Sequence, residues 1–183
     1  QKNYSLSSTI SPSIFETNSY LISKKQTSLI EYAAFYGSIQ IFQYLKQNNV
    51  YFDYNIWLYA IHGNNPIMIH QIESFDLVEI RYDYESILNE AIKCHHNDLA
   101  IYIKDNLCLE LDYDIKRFYE CVLSIIFGYF NFKLFPQKID DNLSCLYYGC
   151  YYNYLSLIEL LSNAENVDIN KSIIIYDNIF KIF

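Results

Sequence analysis

The sequence predicts an all-α chain, an α-solenoid of about four to five stacked helix-turn-helix repeats. Three observations predict it. A small residue recurs at Ala33, Ala60, Ala91 and Gly149, in steps of 27, 31 and 58 residues; 58 is about two steps, so the period is near 29. Each is followed within a turn by a residue tolerant of left-handed backbone: Gly37, Asn64, His95 and Asn153. Twelve residues beyond the small residue stands an aliphatic one, Leu45, Ile72, Ile103 and Leu161. A short helix, a reversal and a second apolar helix satisfy all three.

Residues 1–27 carry no repeat. Their S-P-S at 11–13 marks a turn or helix start, so the stretch reads as an N-terminal cap or leader. Residues 28–183 form the divergent repeat domain. Its first unit, near 28–55, has Leu29 about a turn ahead of the small residue and a second helix at 39–46 that buries Ile41, Phe42 and Leu45. Units near 56–83 and 84–114 repeat the pattern with Trp57 and Leu88, and with second helices at 67–73 and 98–104. By spacing, residues 115–141 hold the next copy, with 124–128 as its small-to-turn segment. Pro136 would then fall inside the second helix, which a helix interior does not tolerate, so an irregular helical unit is expected. The last unit, 142–172, has Leu146 ahead of Gly149 and a second helix at 155–162 that buries Leu157, Ile158 and Leu161.

Composition narrows the function classes. Of 183 residues, 52% are apolar and 19% charged, which suits a packed domain and not a disordered chain. A formal charge of −8 disfavours nucleic acid as a partner. No apolar run reaches the roughly 18 residues of a membrane span. Cys94, Cys108, Cys121, Cys145 and Cys150 are odd in number and lack framework spacing, which points to a reducing, cytoplasmic compartment. The chain opens at Gln1 with no apolar signal core, so a piece of a longer protein with further repeats is expected.

The repeat resembles the ankyrin repeat, whose first helix reads Thr-Pro-Leu-His-x-Ala-Ala-x-x-Gly-His. Residues 28–38 read S-L-I-E-Y-A-A-F-Y-G-S, keeping the Ala-Ala-x-x-Gly core without the Thr-Pro or either His. His96 falls where that family prefers His, and V-D-I-N at 167–170 resembles its Ala-Asp-Val-Asn turn. Residues 28–106 are similar to a divergent ankyrin domain of unknown function expanded in parasitic protists. The resemblance covers residues 28–170 and implies a protein-binding scaffold with a concave face. It places on that face the two x residues of each copy: Phe35 and Tyr36, His62 and Gly63, Lys93 and Cys94, Tyr151 and Tyr152. Of these, Phe35, Tyr36, His62, Lys93, Tyr151 and Tyr152 are the candidate contacts with an unidentified protein partner, because aromatic side chains concentrate at binding hot spots.

The residue types suited to catalytic or metal chemistry have simpler readings. Cys94, His95 and His96 are metal-binding types, but their spacing fits no common zinc pattern and the repeat register accounts for both histidines. Cys145 and Cys150 are five apart on one helix, so they diverge and read as small core residues. His62 and His70 flank the Asn64 turn without a nucleophile motif and read as partly exposed polar residues. The acidic stretches at 79–85 and 110–114 read as solvated turns. No enzyme activity, cofactor or metal is expected. The alternatives are a structural cap or spacer of a longer array and, behind it, a metal-dependent domain using Cys94, His95 and His96.

Overall fold

Ser28 opens the first repeat helix with a reciprocal cap. Its N–H donates to Glu31 Oε2 at 2.7 Å, and the Glu31 N–H donates back to Ser28 Oγ at 3.4 Å, which satisfies two otherwise unpaired donors. The computed structural model describes residues 5–75, 84–108, 115–135 and 142–163. It is all-α in character, with ten helices and one two-stranded pairing among the described residues. By contact the chain separates into two compact units, Gln1–Ile103 and Lys104–Phe183.

In the first unit, strand β1 (Thr9–Ile10) runs antiparallel to β2 (Thr27–Ser28), with Thr9 opposite Ser28. Helix α1 (Ser19–Ser23) lies between them, capped by Asn18, whose side chain accepts from the Tyr20 and Leu21 N–H groups. Helix pairs follow: α2 (Leu29–Phe35) with α3 (Ile39–Gln47), α4 (Ile56–Gly63) with α5 (Pro66–Glu73), then α6 (Tyr84–Lys93) and α7 (Asn97–Asn106). Successive first helices pack on each other, α2 on α4 and α4 on α6. The second unit holds α8 (Ile115–Gly128), a 3-10 turn at Phe132–Leu134, α9 (Asn142–Tyr151) and α10 (Leu155–Ser162).

The reversals fall where the residue types predict. Gly37, Asn64, His95 and Asn153 have φ of 61°, 47°, 58° and 60°. In three copies the residue after the left-handed one donates to the small residue's carbonyl: Ser38 to Ala33, His96 to Ala91 and Tyr154 to Gly149, at 2.8, 3.0 and 2.8 Å. This is the Schellman closure. In the other copy Asn64 N–H bonds the carbonyl of Ala60 at 3.0 Å.

The irregular unit closes in the same way but not in the expected register. Its left-handed residue is Phe130, φ 58°, and Asn131 N–H donates to the carbonyl of Ile126 at 2.9 Å. Ile126 therefore takes the small residue's place, not Ser124. Phe135, ahead of Pro136, is extended at φ −60° and ψ 130°, as the proline ring requires of its predecessor, so the 3-10 turn at Phe132–Leu134 ends there.

Core packing follows the stripes in part; Leu29 and Leu146, ahead of the small residues, are only half-buried. Ala34, Ala60 and Ala91 are fully buried, as are Phe42, Ile56, Ile61, Met68 and Ile72, with Trp57 and Leu88 nearly so. Ile41, expected inside, is exposed; it lies about 100° around α3 from Phe42, and Phe42 and Leu45 take the inner face. Leu157, Ile158 and Leu161 are only half-buried. In the second unit Cys145 is buried with Leu123, Phe127 and Tyr148, whereas Cys150 is exposed and is not a core residue. Among the described residues no helix is long and apolar enough to cross a membrane.

Candidate functional site

Two consecutive helical residues point about 100° apart, so both x residues of one copy cannot face the same way. In the first copy Phe35 turns inward and is only 8% exposed, while Tyr36 is 58% exposed. Phe35 was expected on the contact face; instead its ring stacks at 5.7 Å on that of His62, one period on. In the last copy Tyr151 faces out, at 62%, and Tyr152 is half-buried with its ring 4.9 Å from that of Tyr151. His62 and Lys93 are both partly buried. Gly63 has no room for a side chain, since a Cβ there would overlap the carbonyl oxygen of Phe35. The acidic residues 79–83 and 110–114, and residues 167–170, lie outside the described residues.

The turn residues of the first unit gather a second arrangement. His62, on the last turn of α4, places Nε2 3.0 Å from Glu90 Oε1 on α6. Cys94, the first residue past α6, holds Sγ 3.5 Å from His62 Nδ1 and 3.9 Å from Nε2. The other carboxylate oxygen of Glu90 takes a 3.4 Å contact from Lys93 Nζ. Tyr20 stacks over the imidazole at 4.1 Å, and its buried hydroxyl finds no hydrogen-bond partner.

Electrostatics distinguish these groups. Burial alone would raise the Glu90 carboxyl, but the His62 hydrogen bond and the Lys93 ammonium outweigh it and bring the carboxyl below its ordinary range. Burial, then the nearby Glu90 charge, pushes the Cys94 thiol up to about 12. Burial raises the Tyr20 phenol too, with Tyr59, Glu90, Glu31 and Cys94 adding to it. Thiol, imidazole and carboxylate stand in the order of a nucleophile, base and orienting acid. A catalytic thiolate needs a low pKa, however, and this thiol is held neutral.

No family model, curated protein or solved structure matches this chain.

The cluster differs from the Cys94, His95 and His96 grouping that adjacency in sequence suggests. His95 is spent on the left-handed turn. His96 is drawn towards the His62 backbone, and burial, then the His62 charge, lowers its pKa. Glu90 was missed, and His62 was not joined to Cys94. A usable signal lay in the repeat: residues one period apart become neighbours when units stack.

Proposed function

We propose that the chain is a non-enzymatic protein-interaction module of the cytoplasm, a stack of ankyrin-like repeats presenting an exposed face to a protein partner. Its side-chain links recur about one period apart, and this supports the reading. Glu90 meets His62 at a separation of 28 residues and the Asn65 amide donates to the Gly37 carbonyl across 28. Tyr102 donates to Glu73 across 29, and Tyr154 to the Phe127 carbonyl across 27. A solenoid in which each unit touches only its neighbours makes contacts of this kind. Such a scaffold limits the ordering cost of association. Exposed tyrosines at the ends of first helices, Tyr36 in one compact unit and Tyr151 in the other, supply rigid contact area at low entropic cost.

The test is quantitative affinity capture with the wild-type chain, Tyr36→Ser, Tyr151→Ser and a control, Tyr44→Ser, on the exposed side of α3. A specific protein held by wild type and control, and lost by a first-helix variant of unchanged helicity, is the expected result. Identical capture by all four would defeat the reading.

A structural cap or spacer of a longer array is the second reading, and α10 favours it. Leu155 and Leu160 are exposed and border an apolar cavity of about 680 Å³ with Phe132, Phe135 and Tyr154. A further repeat covers this kind of face. Under this reading the capture is empty, and extending the chain by its next repeats raises its melting temperature.

A further inference from the structure

We propose that His62, Glu90 and Cys94 form a binding site for a zinc-class divalent metal ion that clamps the second repeat to the third. One nitrogen, one oxygen and one sulfur donor converge so that all lie within 4.8 Å of one another. Taking Nε2 as the imidazole donor, the sulfur is 3.9 Å away and the carboxylate oxygen 3.0 Å. Donors bound to one tetrahedral zinc at about 2.0–2.3 Å stand roughly 3.3–3.8 Å apart, so small side-chain adjustments close the site.

The surroundings have the features of a supported metal site. Helix α4 packs directly on α6, which fixes the separation of the ligand-bearing backbones. Glu90 turns one oxygen to the site and has the other held by Lys93, the second contact that orients a ligating carboxylate. Tyr20 roofs the imidazole and Phe35 flanks it. The Tyr20 hydroxyl is buried and has no hydrogen-bond partner, and a zinc held by three side chains leaves its fourth position to water. A mixed nitrogen, sulfur and oxygen set selects zinc-class ions over magnesium or calcium, which take oxygen ligands. Binding displaces the thiol proton, because a coordinated thiol is deprotonated outright. The role is structural: the ion joins residues 28 and 32 apart in sequence, and its binding energy adds to folding energy. This inference stands whether or not the exposed face binds a protein.

Cobalt(II) titration of the purified full chain is the test, because a cobalt–thiolate bond produces a charge-transfer absorption. The expected result is one equivalent of cobalt bound with that absorption, bleached by one equivalent of zinc. Cys94→Ser abolishes the band, His62→Gln and Glu90→Gln weaken binding, and Cys150→Ser, at an exposed thiol, leaves it unchanged. No charge-transfer band, or one that survives Cys94→Ser, overturns the proposal. Should Cys94→Ser fail to fold by circular dichroism, alkylation of the wild type decides. Zinc is then expected to slow the labelling of Cys94 under prolonged iodoacetamide treatment that modifies it in the metal-free chain, while Cys150 labels at an unchanged rate; labelling of Cys94 at the same measurable rate with and without zinc overturns the site.

Discussion

Gly63 lies so close to the end of α2 that a Cβ on it would overlap the carbonyl oxygen of Phe35. Its backbone needs no left-handed freedom; the glycine is required by the approach of α4 to α2. Gly149, at the small position of the last copy, differs. A Cβ there would meet Ile158 Cγ1 at 3.4 Å, an ordinary contact.

Gly63→Ala is therefore expected to destabilise the chain by about 1–3 kcal/mol, as overpacking against rigid backbone does. Gly149→Ala is expected to be neutral or to gain up to about 1 kcal/mol from helix propensity. Urea unfolding of the two variants compares them directly. Equal effects would mean that the α2–α4 approach is looser than described.

The inward turn of Phe35 and the outward turn of Tyr36 make an equally direct contrast. Phe35→Ala is expected to cost about 3–5 kcal/mol, the usual loss for a buried phenylalanine. Tyr36→Ser gives up a 3.4 Å hydrogen bond to Glu16 and is expected to cost about 1 kcal/mol or less. Thermal melts would reverse that order if Phe35 were the solvent-facing member of the pair.

Helix starts differ in the same measurable way. Ser28 caps α2 through its side chain, whereas Ser38, at the start of α3, makes no such hydrogen bond. Ser28→Ala is expected to cost about 1 kcal/mol. Ser38→Ala should fall within about 0.5 kcal/mol of the wild type. Chemical denaturation midpoints separate the two, and a larger loss at Ser38 would contradict the capping assignment.

Asn153 tests the left-handed reversals. It is exposed with φ 60°, so a side chain without local hydrogen bonding is strained there. Asn153→Val is expected to cost about 1–2 kcal/mol, and Asn153→Gly to be neutral or stabilising. Hydrogen exchange of the α9–α10 amides would report the loss locally, and a harmless valine would count against the turn.

Much of this was legible because it is local. A left-handed residue and a 3.6-residue stripe act within a few residues of themselves, so Gly37, Asn64, His95, Asn153 and the second helices could be placed without tertiary information. The irregular unit was misplaced by two residues, because Ser124 and Gly128 match the small-to-turn pattern by composition. Phe130, a poor left-handed residue in isolation, turns the chain instead, with its ring 5.3 Å from that of Tyr154.

Local sequence accounts for an all-α chain of short helices, for their reversals and for part of the buried core, including Phe42, Leu45, Trp57, Ile72 and Ile103. Packing of the helices against one another set which side of each met a neighbour. It turned Phe35 inward and Ile41 outward, and it brought Cys94 together with His62 and Glu90. The physical reason is range. Backbone preference is set by each residue and its immediate neighbours, whereas a side chain's partner is set by how closely the next helix approaches, here α4 to α2 through a glycine with no room for a methyl group.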